Sequence, residues 1–537
     1  MKLLLVVVVV CIGWIFSGVL RAQEVSVIPY PASVRMLDGK FSLKAGKIGY
    51  RTAEFAPEAG FLAEQLEDLS CRMKADKDEK KAVILLTQSA DIQNREGYRL
   101  QITPKGVTIA AKNRAGMFYG IQTFLQLVRN GGRDLACCEI EDAPRYDWRG
   151  YMLDESRHFF GKEKVKQLLD WMAYYKLNKF HWHLTDEPGW RIEIKKYPRL
   201  ATVGGKGNWS DPNCQDVRFY TQDEIREIVA YAAGRHIEII PEIDMPGHAT
   251  AANFAYPGLS GGGTPEHPEF TFNVGKEKVY QFLTDVLREV TGLFPSSLIH
   301  TGGDEVAYGI KAWETDADVQ GMMKREGLTE VKEAERYFTH RIADSVRMLG
   351  KTLAGWDELL DAGVPAGGTL IFWWRHDRVN QLKKLLAKGY ETVLCPRKPL
   401  YFDFIQHKTH KWGRVWSGFC PLEDVYAFPD KGIAAWGIPA EHLTHIRGIQ
   451  ANVWTERMHN TRRLDFMTFP RICALAESAW TPAGVKDYDS FTRRMEKAYR
   501  DFDRAGIYYF DARDPEARPE PAGPQQQKRN LPMDFRD

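Results

Sequence analysis

The residues of this chain best placed to do chemistry are two neighbouring acids, Asp304 and Glu305, which follow Leu298-Ile-His-Thr-Gly-Gly303. Leu298 and Ile299 read as the end of a short buried strand. The two glycines remove Cβ atoms where that strand stops, which permits unusual backbone angles and close approach of a ligand. Neighbouring side chains alternate between the faces of a regular strand, but at a strand end opening into such a loop both can turn into one cleft. Two carboxylates in a partly desolvated site raise each other's proton affinity, so one stays protonated near neutral pH, as a general acid must.

The elements that would carry these acids occupy most of the 537 residues. After Glu141-Asp-Ala-Pro144 a pattern of strand, loop and helix recurs, with strands expected at 149–153, 179–184, 237–243, 298–301, 352–355, 370–373, 392–395 and 449–453. Helices are expected between them, one opened by the capping box Thr221-Gln-Asp-Glu224 and others near 279–290, 334–349, 378–387 and 466–480. The segment after Trp356 is weakly helical. Eight such units make an α/β fold, a TIM (β/α)8 barrel, whose reactive groups sit at the C-terminal ends of the strands. An open doubly wound sheet is the alternative, but no Gly-x-Gly-x-x-Gly fingerprint opens a helix. Residues 23–143 read as a small α+β domain, with short strands at 41–43, 47–50, 82–86, 98–102 and 106–110 and helices near 58–69 and 117–128. The barrel is expected over 144–484, and a C-terminal helix with a flexible tail over 485–537. The Pro- and Gln-rich stretch 513–527 reads as solvated.

Composition narrows the function. Lys+Arg 73 against Asp+Glu 71 leaves a net charge of +2, so no global field draws the chain to nucleic acid or anionic lipid. The 15 Trp and 22 Tyr include many beside Gly, Asp and Glu in the second half, where packing of a large domain is the default explanation and stacking on sugar C–H surfaces the alternative. Met1-Lys2, the apolar run 3–20 and Arg21-Ala22-Gln23 read as a signal peptide over 1–22, with a membrane anchor as the alternative. Export to the periplasm or the extracellular space follows, with no stable membrane span after cleavage. One of the 8 Cys lies in that leader, and the odd remainder forms neither a disulfide framework nor a zinc pattern. No cofactor and no metal is expected.

Polar and aromatic groups gather where each expected strand stops. In chain order they are Asp154-Glu-Ser-Arg157-His158, His181-Trp-His183-Leu-Thr-Asp186-Glu187, Pro241-Glu-Ile-Asp244-Met-Pro-Gly-His248, Asp304-Glu305, Trp356-Asp357-Glu358, Trp373-Trp374-Arg375, Tyr401-Phe-Asp403 and Asn452-Val-Trp454-Thr-Glu456. On these motifs the chain closely resembles glycoside hydrolase family 20, the β-N-acetylhexosaminidases. The resemblance is carried most specifically by His181-Trp-His-Leu-Thr-Asp-Glu-Pro-Gly-Trp190, Pro241 to His248 and His300 to Glu305, and it covers the barrel and the preceding domain. Where the family has Asp-Asp or Asp-Gln, this chain has Asp186-Glu187.

The resemblance implies a substrate-assisted, retaining reaction on glycans ending in β-N-acetylhexosamine, in which the 2-acetamido oxygen attacks the anomeric carbon to give an oxazolinium intermediate. It implies Glu305 as acid and then base, and Asp304 as acceptor for the acetamido N–H. Arg157 would hold the 3- and 4-hydroxyls, and Asp186 and His248 would support the acid. Trp356, Trp374 and Trp454 would wall the pocket, with Trp373 exchangeable for Trp374. Tyr401 would donate to the acetamido oxygen, while Asp403 and Glu456 would reach the acetamido or outer hydroxyl groups.

Two rival readings have residues behind them. His181-x-His183 with His248 and Asp304 could hold a metal ion, and a glycan-binding protein without turnover could keep the same pocket. The choice between GlcNAc and GalNAc, the leaving sugar and the oligomeric state stay open. The first two depend on mouth loops such as 204–216 and 260–269.

Overall fold

The computed structural model describes residues 25–207, 216–415 and 418–524. The expected signal peptide, part of the 204–216 loop and the end of the tail lie outside these residues. Within them, no helix is long and apolar enough to cross a membrane.

Eight parallel strands close into a barrel: Trp148–Asp154, Lys179–His183, Glu238–Glu242, Leu298–His300, Thr352–Trp356, Thr369–Trp373, Glu391–Leu394 and Ile446–Val453. The last pairs in parallel with the first from Gly448↔Trp148 to Val453↔Leu153, so the sheet has no edge. Each strand lies within about two residues of its expected place, apart from the longer start of the eighth; the clearest, Thr369–Trp373, is buried on both faces and almost wholly apolar. The capping box forms as read: Thr221 accepts from the Glu224 amide and Glu224 accepts from the Thr221 amide, starting Gln222–Ala233.

Ahead of the barrel, seven strands form a mixed sheet in the order Ser33–Ser42, Asp134–Asp142, Tyr98–Thr103, Gly106–Ala111, Ile84–Gln88, Gly46–Tyr50, Met73–Asp76. Two of them, Met73–Asp76 and Asp134–Asp142, were not expected, and the first is far longer than 41–43. Ser33–Ser42 is an edge strand with almost no buried side chain, so it shows no apolar alternation to read.

Helix Arg114–Gly131, capped by Asn113, is buried along most of its length. Gln126 donates from it to the Tyr174 carbonyl at 3.1 Å, tying the domain to the barrel's first helix. The seam also holds buried charge. Lys176 pairs with Asp142 at 3.1 Å, and Arg149 reaches both oxygens of Glu96 at 2.8 and 3.0 Å.

Two expectations need correction. The single helix near 466–480 is two helices, Thr461–Thr468 and Arg471–Trp480, because Pro470 cannot continue the ladder and holds Phe469 extended. The tail is docked over part of its length: after helix Tyr488–Arg504 the chain returns so that Glu520 accepts from the Lys411 and Trp412 amides and from Nη1 of buried Arg463. A guanidinium with no exposed surface needs such a partner. The six described cysteines are buried thiols outside any disulfide.

Candidate active site

The acids sit where the fourth strand ends, and the glycines before them are required. At Gly302, φ +64, a Cβ would fall 1.8 Å from Asp244 Oδ1, and the Gly303 amide donates to that same oxygen at 3.3 Å. Glu305 itself adopts a left-handed backbone, φ 53, a conformation that costs a non-glycine residue about 1–3 kcal/mol and recurs at functional sites. The turn brings both carboxylates to one imidazole: His248 Nε2 lies 3.5 Å from Glu305 and 3.7 Å from Asp304.

Beneath them runs a chain of alternating charge. His248 Nδ1 meets Asp186 Oδ1 at 2.8 Å, and Asp186 Oδ2 takes Arg157 Nη1 at 2.6 Å and His183 Nε2 at 2.9 Å. The other His183 nitrogen faces Glu242 at 2.5 Å, and Glu242 also accepts from Trp356 Nε1 at 2.9 Å. Asp154 Oδ1 fixes the approach of Arg157 by accepting from its amide at 3.1 Å, while the guanidinium lies 5.1 Å over the Trp454 ring.

This alternation sets the protonation states. Burial disfavours charge on Asp186 and Glu242, but Arg157 and His248 around the first and His183 beside the second hold both carboxyls well below their usual range. Burial likewise opposes the imidazolium of His183 and His248, yet Glu242 and Asp186 in the first case, and Asp186 and Asp304 in the second, raise both well above the ordinary histidine value.

The two neighbouring acids shift in opposite directions. Burial and the negative charge of Asp244 push Asp304 well above the carboxylate range. For Glu305 burial works upward too, but the hydrogen bond and charge of His248 leave its pKa lowered. The adjacent acids do differ, as expected: proton affinity is raised at Asp304 and lowered at Glu305.

A cavity of about 120 Å³ opens above this floor, lined by Arg157, His248, Asp304, Glu305, Trp374, Arg397, Tyr401, Arg414, Trp454 and Glu456. Eight of the eleven expected site residues are therefore brought to one wall. The other three stand behind it: Asp186 and Trp356 in the floor, and Asp403, which is held by Arg414 Nε at 2.7 Å. That bond occupies one Asp403 oxygen, and burial pushes the carboxyl up to about 7 despite Arg414. Arg414 also donates to Glu456 at 2.8 Å, so the two acids expected to reach the sugar are clamped by one guanidinium.

The choice between adjacent tryptophans is settled by strand alternation. Trp373 packs outward on Trp436, with centroids 5.3 Å apart, while Trp374 lies near parallel to Tyr401 and donates to Glu358 at 3.1 Å. Trp356 and Trp454 pack at 5.8 Å. Asp304 Oδ1 and Trp454 Nε1 are buried without a hydrogen-bond partner among the described residues, and both belong to the cavity lining.

Sequence reasoning assigned no role to Arg397, Arg414 or Glu242. Glu242 lies in the Pro241 to His248 motif, and the signal that could have singled it out is its spacing from two histidine-bearing strand ends. Arg414 stands in Trp412-Gly-Arg414-Val-Trp416, and a pair of buried acids nearby calls for a cation. The histidines that could be read as metal ligands do cluster, as in His183, Asp186 and Asp244. Both ring nitrogens of His183 are already turned to carboxylates, and a metal would have to displace those contacts.

Comparison with known proteins agrees with this arrangement. Residues 146–483 match the glycosyl hydrolase family 20 catalytic domain and residues 24–143 match domain 2 of the same family. A β-hexosaminidase of Porphyromonas gingivalis is 36% identical over 512 residues, covering 91% of this chain and 64% of that protein, so the chain spans somewhat under two thirds of that relative's length. A β-hexosaminidase of Vibrio furnissii is 35% identical over 478 residues, covering 85% of this chain and 77% of that protein. The crystal structure of a family 20 exo-β-N-acetylglucosaminidase from Vibrio harveyi in complex with N-acetylglucosamine superposes with a TM-score of 0.82 at 30% identity, over 91% of this chain and 78% of that one. Both domains match in one order along the chain, which belongs to glycosyl hydrolase family 20 as one of its glycoside hydrolases.

Proposed function

We propose that this glycoside hydrolase is an exo-acting, retaining β-N-acetylhexosaminidase that removes terminal β-linked N-acetylhexosamine from glycans by substrate-assisted catalysis. The observation that carries the reading is the placement of Asp304 and Glu305 on one imidazole. Neighbours held that way cannot face each other across an anomeric carbon, as an acid and a carboxylate nucleophile must. A nucleophile supplied by the substrate's own acetamido group is the known alternative in this family.

The geometry supports a role for each group. Asp304 presents a buried oxygen with no hydrogen-bond partner among the described residues, suited to accept the acetamido N–H and to balance the positive charge of an oxazolinium intermediate. Glu305 stands at the cavity edge to protonate the leaving oxygen. A sugar covering Glu305 removes its water, which raises its proton affinity, while the charge growing on the acetamido group draws Asp304 toward its anionic form. The two carboxyls thus exchange their ligand-free bias as the substrate seats. Arg157, fixed by Asp186, offers forked donors to paired hydroxyls, and Trp374, Tyr401 and Trp454 offer ring faces to the sugar. The small walled cavity favours a chain end over a chain interior. The apolar leader supports export to the periplasm or the extracellular space.

The test pairs substrates with a variant. Wild-type protein should cleave terminal β-GlcNAc or β-GalNAc glycans and leave the matching glucosides, which lack the 2-acetamido group, essentially untouched. Glu305→Gln should lower kcat on the natural glycans about 10²–10⁴-fold. Equal cleavage of plain glucosides would overturn the assignment of the nucleophile.

A further inference from the structure

Glu305 is approached from two sides. One oxygen lies 3.5 Å from His248 Nε2 inside the cavity. The other accepts from Tyr308 Oη at 3.4 Å on the outer side. A glycosidic oxygen protonated by Glu305 joins two groups, and the departing one must lie outward, past that second oxygen.

What stands there is an exposed aromatic face in a fixed orientation. Tyr308 is 45% exposed, yet its ring lies parallel to His267, with 5° between the planes and 4.9 Å between centroids. His267 is held in turn. Its Nδ1 faces both oxygens of Glu187 at 3.1 and 3.2 Å, its amide donates to Thr264 Oγ1 at 3.1 Å, and Phe270 meets it edge-on at 5.4 Å. A lone surface tyrosine would be free to swing, whereas this one is backed by a ring that is itself pinned. The pin is Glu187, the position where the chain departs from the family pattern. Tyr308 is one of six large apolar side chains exposed among the described residues, and the one hydrogen-bonded to a catalytic carboxylate.

Resting on the reading of the cavity as a β-N-acetylhexosaminidase site, we infer that Tyr308, laid flat on His267, is the seat of the leaving group and that it takes a pyranose ring. A sugar presents a flat array of C–H groups to such a face, with its hydroxyls at the edge toward water and the Tyr308 hydroxyl. A small alcohol presents nothing to stack. The enzyme therefore prefers a sugar as leaving group over a small one that makes the same demand on the general acid.

The experiment compares kcat/KM for a β-linked N-acetylglucosamine disaccharide with that for methyl β-N-acetylglucosaminide, whose alkoxide leaving group needs similar protonation but brings no ring. In the full-length protein, Tyr308→Ala should lower the disaccharide-to-methyl ratio about five-fold or more, the order expected of one stacked ring. Tyr308→Phe should hold the ratio within about two-fold of wild type, since the ring stays. His267→Ala should shift it in the same direction as Tyr308→Ala, and gives an independent reading should the alanine variant at 308 not fold. An unchanged ratio in Tyr308→Ala overturns the platform alone. A fall in Tyr308→Phe as large as in Tyr308→Ala overturns it too, because the hydroxyl bond to Glu305 would then be the cause. Wild-type protein that cleaves neither substrate overturns the reading of the cavity, and the platform with it.

Discussion

The two mouths of the barrel make a useful contrast. The N-terminal mouth is the roomier, a cleft of about 480 Å³ bordered by Asp147, Lys179, Glu238, Glu391 and Arg447, against about 120 Å³ at the C-terminal mouth. Its charges satisfy one another across exposed surface. Lys179 pairs with Glu238, and Arg447 reaches Asp147 at 3.1 Å and Glu391 at 3.2 Å. At the other mouth Arg157 is held from behind by Asp186 and Arg414 by Asp403 and Glu456, while the lining atom Asp304 Oδ1 keeps no hydrogen-bond partner among the described residues. Volume therefore does not mark the working end of this fold. Unmet polar capacity does, because burial makes an unsatisfied donor or acceptor costly until a ligand completes it.

The sharpest way to press that contrast is at Asp304. Asp304→Asn keeps the shape and removes the charge, so kcat should fall about 10²–10³-fold with KM much less affected, the pattern of an interaction made chiefly in the transition state. The pH profile supplies the sign. Asp304 is raised above the ordinary carboxylate range in the free protein, and in the proposed mechanism its anion is the form that balances the charge growing on the acetamido group. Wild-type kcat/KM should thus climb with pH through a value above about 3.9, and that acid limb should be absent in Asp304→Asn. An acid limb unchanged in the variant would assign it elsewhere.

Glu242 tests the layer below, which touches no substrate. It is a positioning residue: through His183 it aims Asp186, and through Trp356 it pins the tryptophan packed against Trp454. Glu242→Gln should lower kcat roughly ten-fold, in the range seen for groups that orient a catalytic set from behind. Loss of one partner of a buried ion pair should also destabilise the fold by about 3–5 kcal/mol. A carboxyl held below its unfolded value stabilises above about pH 4.3 and loses that contribution as pH falls through the folded pKa. His183, raised above its unfolded value, stabilises fully below about pH 6.5 and loses it as pH rises through the folded pKa. The gap in Tm between wild type and variant should therefore be widest between about pH 4.3 and 6.5 and narrow on either side. A gap independent of pH would mean lost packing rather than lost charge.

What could be read in advance follows the same divide. The eight barrel strands were legible because runs such as Thr369–Trp373 are buried on both faces, and the acids were legible because Gly302 and Gly303 announce a turn. The edge strand Ser33–Ser42 was not, since pairing on one side alone demands little apolar alternation. Individual cavity-lining residues were legible where a strand end presented them, as with Trp374 and Tyr401. Arg414 was not, because its role exists only once a loop folds back onto Asp403 and Glu456. The direction of proton bias between Asp304 and Glu305 was hidden for a related reason. It depends on burial and the charge of Asp244 beside Asp304, and on the bond from His248 to Glu305, none of which the pair of residue types announces.

The smallest expected effect lies at the opposite mouth, and it is the one that could break the contrast outright. Arg447 bridges Asp147 and Glu391 with 44% of its side chain exposed, against 74% and 39% for its partners. Water and salt screen such pairs, and holding long side chains in place offsets much of the attraction, so Arg447→Gln should change stability by about 1 kcal/mol or less. kcat/KM on a terminal β-N-acetylhexosaminide should stay within about two-fold of wild type, because this surface pair lies at the opposite end of the barrel from the candidate site. A larger loss of activity at unchanged Tm would show that the roomier cleft binds something the reaction needs. The two mouths would then have to be treated as one coupled system instead of a working end and a structural one.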